Sequence, residues 1–253
     1  MTGTVHVCWS SLSPPESGMG WLDATERARF DRLTRVEARR GFVTSRMLVK
    51  TLVGRLAGTP AALVRLTYDC PRCGKSHGRP VVVEPPAAVG WHVSLSRSVR
   101  HVLVAATDAG PVGVDVERIA ATEFGGFDKV ALTPGEQAEL ERYAPAVRAR
   151  ARAVYWTRKE AVLKATGRGL AVDPTALEVS APHLPAALMG WHADEPPTAP
   201  AQLTDVFVGD DGEDQVAAVA VLAHAPCEVA IQQPPAPIRL VAEPVGVPRA
   251  ATA

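Results

Sequence analysis

Apolar residues recur with the period of a helix in the first quarter of the chain. Leu48, Leu52 and Leu56 are spaced by one helical turn, with further apolar residues beside them. Gly58 and the Thr-Pro that follows it are typical of a helix end. Residues 24–57 are therefore predicted to form a long helical region.

Two runs rich in β-branched residues, 101–107 and 112–118, predict strands near the middle of the chain. The four residues between them, DAGP, have the composition of a hairpin connection, so the two strands are predicted to pair. The segment 69–90 is rich in Cys, Gly and Pro, and it is predicted to form loop or edge structure rather than buried sheet.

The second half of the chain alternates helix and strand signals without a regular βαβ order. Thr133, Pro134 and Glu136 form the pattern of a helix N-terminus, and a second helix is predicted from about residue 147 to residue 166, ending at Gly167. The fold class predicted from this order is α+β, in one compact unit. Strand-like runs follow at residues 177–179 and 216–222. The tail, residues 233–253, is rich in Pro, and we expect it to be disordered.

Composition narrows the functional classes. The 253 residues include 27 Lys plus Arg and 27 Asp plus Glu, so no net charge attracts nucleic acid or an anionic membrane. No segment approaches the run of about 20 apolar residues that spans a bilayer, and the N-terminus lacks a secretory signal. Four scattered cysteines are not a disulfide framework. We expect a cytoplasmic protein that binds neither nucleic acid nor membrane.

Candidate chemistry is concentrated in two segments, GVDVE at 113–117 and WTRKEAVLK at 156–164. On a strand, Asp115 and Glu117 project from the same face. On a helix, Glu160 and Lys164 are one turn apart and share a face. Three carboxylates and one ammonium suit Mg²⁺, which prefers oxygen ligands and takes others from substrate phosphates. Each segment alone is more typical of a solvated surface than of a catalytic site, so the interpretation depends on the two segments occurring together.

The two segments, in this order, closely resemble the paired signature of 4′-phosphopantetheinyl transferases of the monomeric, surfactin-synthetase-activating type. Two further stretches are similar to blocks of that family: HGRP at 77–80, and WHVSLS at 91–96, where the family has an aromatic-Asn-x-Ser-His-Ser run. The four blocks occur in the family's order, and the resemblance covers about residues 26–180.

The resemblance implies two similar α/β subdomains, here residues 1–110 and 111–232, with the active site in the cleft between them. It implies a Mg²⁺-dependent monomer that moves the phosphopantetheine arm of coenzyme A to a serine of an acyl or peptidyl carrier protein in polyketide or nonribosomal peptide biosynthesis. Adenosine 3′,5′-bisphosphate would be released. A serine hydroxyl needs a positioned base, and phosphoryl-type transfer needs neutralisation of charge.

Carried over position by position, the resemblance implies a role for each of seven residues. The metal ligands would be Asp115, Glu117 and Glu160, with Glu160 also the candidate base and Lys164 the cation near the pyrophosphate. Coenzyme A would be bound by Arg29, Arg79, Ser94 and Lys164, and Arg46 is added to them as a candidate replacement for a phosphate-binding histidine that this sequence lacks.

The sequence departs from the family pattern at two positions. Leu95 stands where the family has a phosphate-binding histidine, and its replacement is open among Arg97, Arg46, Arg40 and Arg39. His92 stands in place of the usual Asn, and either packing or binding would explain it.

Two alternatives remain open. One is a phosphohydrolase or nucleotidyl transferase that uses the same three carboxylates. The other is a non-enzymatic module in which Cys70, Cys73 and His77 bind zinc and the N-terminal arginines bind nucleic acid, although a fourth zinc ligand is not obvious.

Overall fold

The computed structural model describes residues 2–70, 73–209 and 214–232, except for the side chains of residues 76 and 77. The fold mixes helices and strands, as the predicted α+β class requires. The helices are α1 (Ala24–Asp31), α2 (Val36–Leu56), α3 (Phe127–Ala131), α4 (Pro134–Glu141) and α5 (Pro145–Thr166). The strands are β1 (Gly3–Ser11), β2 (Arg65–Asp69), β3 (Ser76–Glu84), β4 (His92–Arg97), β5 (His101–Thr107), β6 (Val112–Arg118), β7 (Leu177–Val179), β8 (Leu188–Trp191), β9 (Ala201–Val206), β10 (Gln215–Leu222) and β11 (Cys227–Gln232).

The larger sheet has six strands in the order β11-β1-β5-β4-β3-β2. Helix α2 packs on one face of it through the stripe that the periodicity predicts, in a hydrophobic cluster that includes Leu48, Leu52 and Val53 of the helix with Val93 and Val104 of the sheet. This cluster is the core of the first half of the chain.

The predicted helical region 24–57 consists of two helices, with a break at residues 32–35. A capping box starts α1: the Asp23 carboxylate accepts from the Glu26 N–H at 2.8 Å, and Glu26 accepts from the Asp23 N–H at 3.1 Å. The same buried Glu26 accepts from Lys50 of α2 at 2.6 Å. This ion pair fixes α1 against α2.

A second sheet has three strands in the order β6-β10-β9, and α5 packs against it. Strands β7 and β8 pair in a third, two-stranded sheet. Gly113 permits the close approach, because a Cβ atom there would lie 2.0 Å from the carbonyl oxygen of Ala161. Helix α4 begins where predicted, and α5 begins and ends close to its predicted bounds. Gly167, at φ +72°, caps α5 in the left-handed region.

The predicted hairpin of residues 101–118 is wrong, although both strands form where expected. Strand β5 pairs with β1 and β4, whereas β6 pairs antiparallel with β10 in the other sheet. The DAGP segment therefore connects two sheets. Gly110 has φ +154° and lies so close to β10 that a Cβ would be 2.3 Å from the carbonyl oxygen of Leu222, which accounts for the glycine in this connection.

The prediction for residues 69–90 needs a similar correction, because β3 occupies nine of them and lies between β2 and β4. The pattern missed this strand because it is poorly buried: Val81 and Val83 are 43% and 45% exposed. Its apolar run is short, and the Gly and Pro residues on both sides favour a loop prediction.

The last strand, β11, pairs parallel with β1, with Gly3 opposite Cys227 and Cys8 opposite Gln232. Strand β11 thus joins the larger sheet, although it belongs to the predicted second subdomain, residues 111–232. The division into two subdomains at residue 110 stays a prediction. The predicted disordered tail, 233–253, lies outside the described residues. No helix in the described ranges is long and apolar enough to cross a membrane.

Candidate active site

Strand β6 and helix α5 bring the two predicted chemical segments together. Asp115 lies on β6 and is 5% exposed, and its pairing with Ala218 of β10 holds the strand in register. Glu160 and Lys164 lie on the face of α5 that packs against β6, one turn apart. The Gly113 contact with the backbone of α5 sets the separation of the two elements. The two segments meet where the Lys164 ammonium of α5 bonds to the Asp115 carboxylate of β6.

The Asp115 carboxylate is the centre of a hydrogen-bonded group. Its Oδ1 accepts from the Lys164 ammonium at 2.6 Å and from the Ser96 hydroxyl at 2.7 Å. Lys164 also donates to Ser96 at 3.1 Å. The other carboxylate oxygen, Oδ2, is buried and has no hydrogen-bond partner among the described residues.

Burial raises the pKa of Glu160 to about 6 against the opposing charge of Lys164, and the negative charges of Asp115 and Glu117 add smaller upward contributions. Burial likewise raises the pKa of Glu117, and Asp115 adds to the shift, against the Arg118 N–H that donates to Glu117 at 2.8 Å. The mutual effects indicate that the three carboxylates are close enough to repel one another. Such a group is stabilised by a cation.

The donor chemistry of these carboxylates fits a hard divalent cation. Two of their oxygens, Asp115 Oδ2 and Glu160 Oε1, are buried without a hydrogen-bond partner in the described part of the chain. Within that part, however, no three His, Cys, Asp or Glu side chains form a ready metal cluster. Lys164 is the cation that contacts Asp115 here, so metal binding would require this lysine to move.

A cavity of about 880 Å³ lies beside this group, between the larger sheet and the C-terminal end of α5. Its lining includes residues of α1, α2, β2, β3 and β4 from the first half, and of β6, α5 and the turn after α5 from the second half. All five predicted coenzyme-binding residues line it: Arg29, Arg46, Arg79, Ser94 and Lys164. The carboxylates of Asp115, Glu117 and Glu160 are not among the residues that line the cavity. Lys164 does line it, and its hydrogen bond to Asp115 connects the carboxylates to the cavity.

Two of the four candidate replacements for the missing histidine lie at the cavity. Arg46 and Arg97 line it, whereas Arg39 donates to the carbonyl of Leu33 and Arg40 to that of Leu12. Burial lowers the pKa of Arg97, and Arg46 lowers it further, so the two guanidinium groups are close. A cavity with clustered guanidinium groups suits phosphate.

The guanidinium of Arg46 is held rigidly. It lies 4.3 Å from the ring centroid of Phe42 and 4.2 Å from that of Tyr68, and its Nε is 3.1 Å from Glu26. The stacking fixes the plane of the guanidinium and reduces the conformational entropy that it would lose on binding an anion.

The structure also adds a residue that the sequence reasoning did not assign. Ser96 lies two residues after Ser94 on β4, and both serines contact β6: the Val114 N–H donates to Ser94 at 3.1 Å. The period of two along the strand is a signal that would have identified Ser96 once Ser94 was assigned.

His92 and the cysteine loop have less defined roles. Burial lowers the pKa of His92, as does the charge of Arg79, so it is neutral near pH 7, and its backbone pairs with Val81 and Thr107. Cys70 and Cys73 line the cavity. The zinc prediction stays a prediction, because the side chain of His77 lies outside the described residues.

Comparisons with known proteins agree with one another. The family model described as the 4′-phosphopantetheinyl transferase superfamily matches residues 111–220. The 4′-phosphopantetheinyl transferase HetI of Nostoc sp. strain PCC 7120 is 31% identical over 226 residues, which are 87% of this chain and 89% of that protein. A putative 4′-phosphopantetheinyl transferase of Synechocystis sp. strain PCC 6803 is 27% identical over 150 residues, 59% of this chain and 58% of that protein.

Proposed function

Because the chain belongs to the 4′-phosphopantetheinyl transferase superfamily, we propose that this transferase moves the phosphopantetheine arm of coenzyme A to a serine hydroxyl of an acyl or peptidyl carrier protein. The reaction depends on Mg²⁺ and releases adenosine 3′,5′-bisphosphate. The position of Lys164 carries this proposal, since it bonds to Asp115 at 2.6 Å and also lines the arginine-rich cavity.

The cavity accounts for binding of the coenzyme. Its several arginines meet the negative charge of the nucleotide phosphates, and Arg46 is preorganised by its aromatic neighbours. The Arg79 side chain lies against Gly167: a Cβ atom added to this glycine would be 3.4 Å from Arg79 Nη1. Arg79 therefore reaches across the cavity to the end of α5. Lys164 and Arg79 are thus positioned to contact the pyrophosphate from opposite halves of the chain.

Asp115, Glu117 and Glu160 are the residues that would hold Mg²⁺. When bound, the ion supplies positive charge to the pyrophosphate oxygens during transfer. The buried oxygens without partners and the mutual repulsion of the carboxylates support this assignment.

In the transfer step, the serine oxygen of the carrier forms a bond to the phosphorus that bears the pantetheine arm. The bond from that phosphorus to the bridging oxygen breaks, and the electron pair leaves with adenosine 3′,5′-bisphosphate. Glu160 is the positioned carboxylate that accepts the serine proton, which the weakly nucleophilic hydroxyl must lose. Lys164 stabilises the charge that develops on the pyrophosphate oxygens.

We also propose the arrangement of two similar subdomains, residues 1–110 and 111–232, and the monomeric subtype. The support is that one chain supplies both walls of the cavity: β3 and β4 from the first half, and α5 with the following turn from the second.

The direct test is mass spectrometry of an apo carrier protein incubated with this protein, coenzyme A and Mg²⁺. The carrier should gain the mass of one phosphopantetheine arm, and a carrier with its acceptor serine changed to alanine should not. Chelation of the metal should stop the reaction. Cleavage of coenzyme A without any gain in carrier mass would instead identify a hydrolase and overturn the proposal.

A further inference from the structure

A serine from one sheet is bonded to the central carboxylate of the other. Ser96 is 7% exposed on β4, and its hydroxyl donates to Asp115 Oδ1 at 2.7 Å. We propose that Ser96 is a positioning residue, which holds the Asp115 carboxylate in the orientation that a divalent cation requires. The inference rests on the proposed function, and it assigns a role to a residue for which that function does not account.

The hydrogen bond from Ser96 to Asp115 is one of two side-chain contacts by which β4 holds β6. Strands β4 and β6 belong to different sheets, so no ladder of β4 hydrogen bonds fixes β6. Two serines of β4 replace that ladder: Ser94 accepts from the Val114 N–H at 3.1 Å, and Ser96 donates to the next residue, Asp115. The first contact sets the height of β6 against β4, and the second sets the rotation of the Asp115 side chain.

Lys164 cannot perform this task during the reaction. In this structure its ammonium bonds to the same Oδ1 at 2.6 Å, and its side chain is 28% exposed at the cavity. A divalent cation on Asp115 would repel the ammonium, and phosphate in the cavity would attract it. Without Lys164, Ser96 would be the remaining donor to Oδ1 in the described part of the chain.

The neutral hydroxyl does not compete with a cation. With Oδ1 held by Ser96, the buried and unpartnered Oδ2 remains available for the ion. Hydrogen bonds of this kind, to an oxygen of a ligating carboxylate, are known to orient ligands, and their loss lowers metal affinity roughly 10- to 100-fold.

The test is the Mn²⁺ affinity of the whole protein, measured by electron paramagnetic resonance with adenosine 3′,5′-bisphosphate present. Mn²⁺ is the probe because it takes the same oxygen ligands as Mg²⁺. Ser96→Ala should weaken Mn²⁺ binding roughly tenfold or more. Ser96→Thr, which keeps the hydroxyl, should recover most of the affinity.

The matched control is Ser98→Ala. Ser98 is close in sequence, and its hydroxyl bonds to Gln215 rather than to Asp115. This variant should bind Mn²⁺ like the unmodified protein, and thermal unfolding of all three variants should show that they are folded.

Two results separate the inference from the proposed function. Equal Mn²⁺ affinity in Ser96→Ala and the unmodified protein would overturn the positioning role, even if the protein modifies a carrier normally. A tenfold loss of Mn²⁺ affinity in Ser96→Ala, in a protein that never modifies any carrier, would leave the positioning role intact and remove the proposed reaction. Equal losses in Ser96→Ala and Ser98→Ala would reduce Ser96 to a structural contact and also overturn the inference.

Discussion

Replacing Glu160 by glutamine should stabilise the ligand-free protein above pH 6 while it abolishes transfer. In the native protein the Glu160 carboxyl has a pKa of about 6, whereas the ordinary value is 4.5. Burial is the first cause, so the ionised form is disfavoured in the folded state. Glutamine has nearly the same shape and never ionises, and the variant therefore avoids this penalty.

The size of the effect follows from the shift. A difference of about 1.5 pKa units corresponds to about 2 kcal/mol at about 1.36 kcal/mol per unit. The sign is that of a raised acidic pKa: the stability that protonated Glu160 contributes is complete below pH 4.5 and is lost as the pH rises through 6. In a chain of this size, about 2 kcal/mol corresponds to a rise in Tm of about 4 to 8 °C.

The assay is thermal unfolding of Glu160→Gln and the unmodified protein, without metal or coenzyme, at pH 4.5 and at pH 8. The difference in Tm should be near zero at the lower pH and several degrees at the higher. Glu178→Gln, at an exposed position of β7, is the control and should show little difference at either pH. Identical Tm values for Glu160→Gln and the unmodified protein at pH 8 would refute the reasoning, as would a difference that persists at pH 4.5.

Three further changes test other parts of the site. Asp115→Asn should remove Mg²⁺-dependent carrier modification while the protein stays folded, because the amide cannot replace the charge; turnover near that of the unmodified protein, measured by mass spectrometry, would remove Asp115 from the metal site. Arg79→Ala should raise the KM for coenzyme A roughly tenfold or more, with a smaller effect on kcat, since it loses charge-assisted hydrogen bonds to phosphate; steady-state kinetics that show an unchanged KM would contradict this. Gly113→Ala should destabilise the fold by about 3 kcal/mol or more in urea unfolding, because its Cβ would lie 2.0 Å from the backbone of α5. Gly125→Ala, where a Cβ meets no atom within 4 Å, should be nearly neutral, and equal losses in the two alanine variants would show that the close approach is unimportant.

Local patterns predicted the elements that carry the chemistry. Helix α5 begins at a proline and ends at a glycine, and β6 alternates in sequence, so both were found within two residues of their bounds. Their meeting was expected from the paired segments and the family resemblance. Periodicity alone contains no information on which strand lies beside which helix.

Nonlocal pairing accounts for the elements that sequence reasoning misplaced. The DAGP connection looks like a hairpin locally, but β6 finds its partner about a hundred residues later in β10, and Gly110 is required by that partner rather than by a turn. The sequence likewise does not show which arginine takes the place of the histidine missing at Leu95. The candidates are Arg46, Arg97, Arg39 and Arg40. The choice depends on the direction in which each side chain leaves the α2 and β4 backbones.

The parallel pairing of β11 with β1 has a consequence for dividing this protein. Cutting the chain after residue 110 would give a first fragment that carries five of the six strands of the larger sheet, with the outer edge of β1 exposed. Such a fragment should tend to self-associate, and the second fragment should rescue it by donating its terminal strand in trans. The two pieces would thus behave as a complementing pair rather than as independent modules.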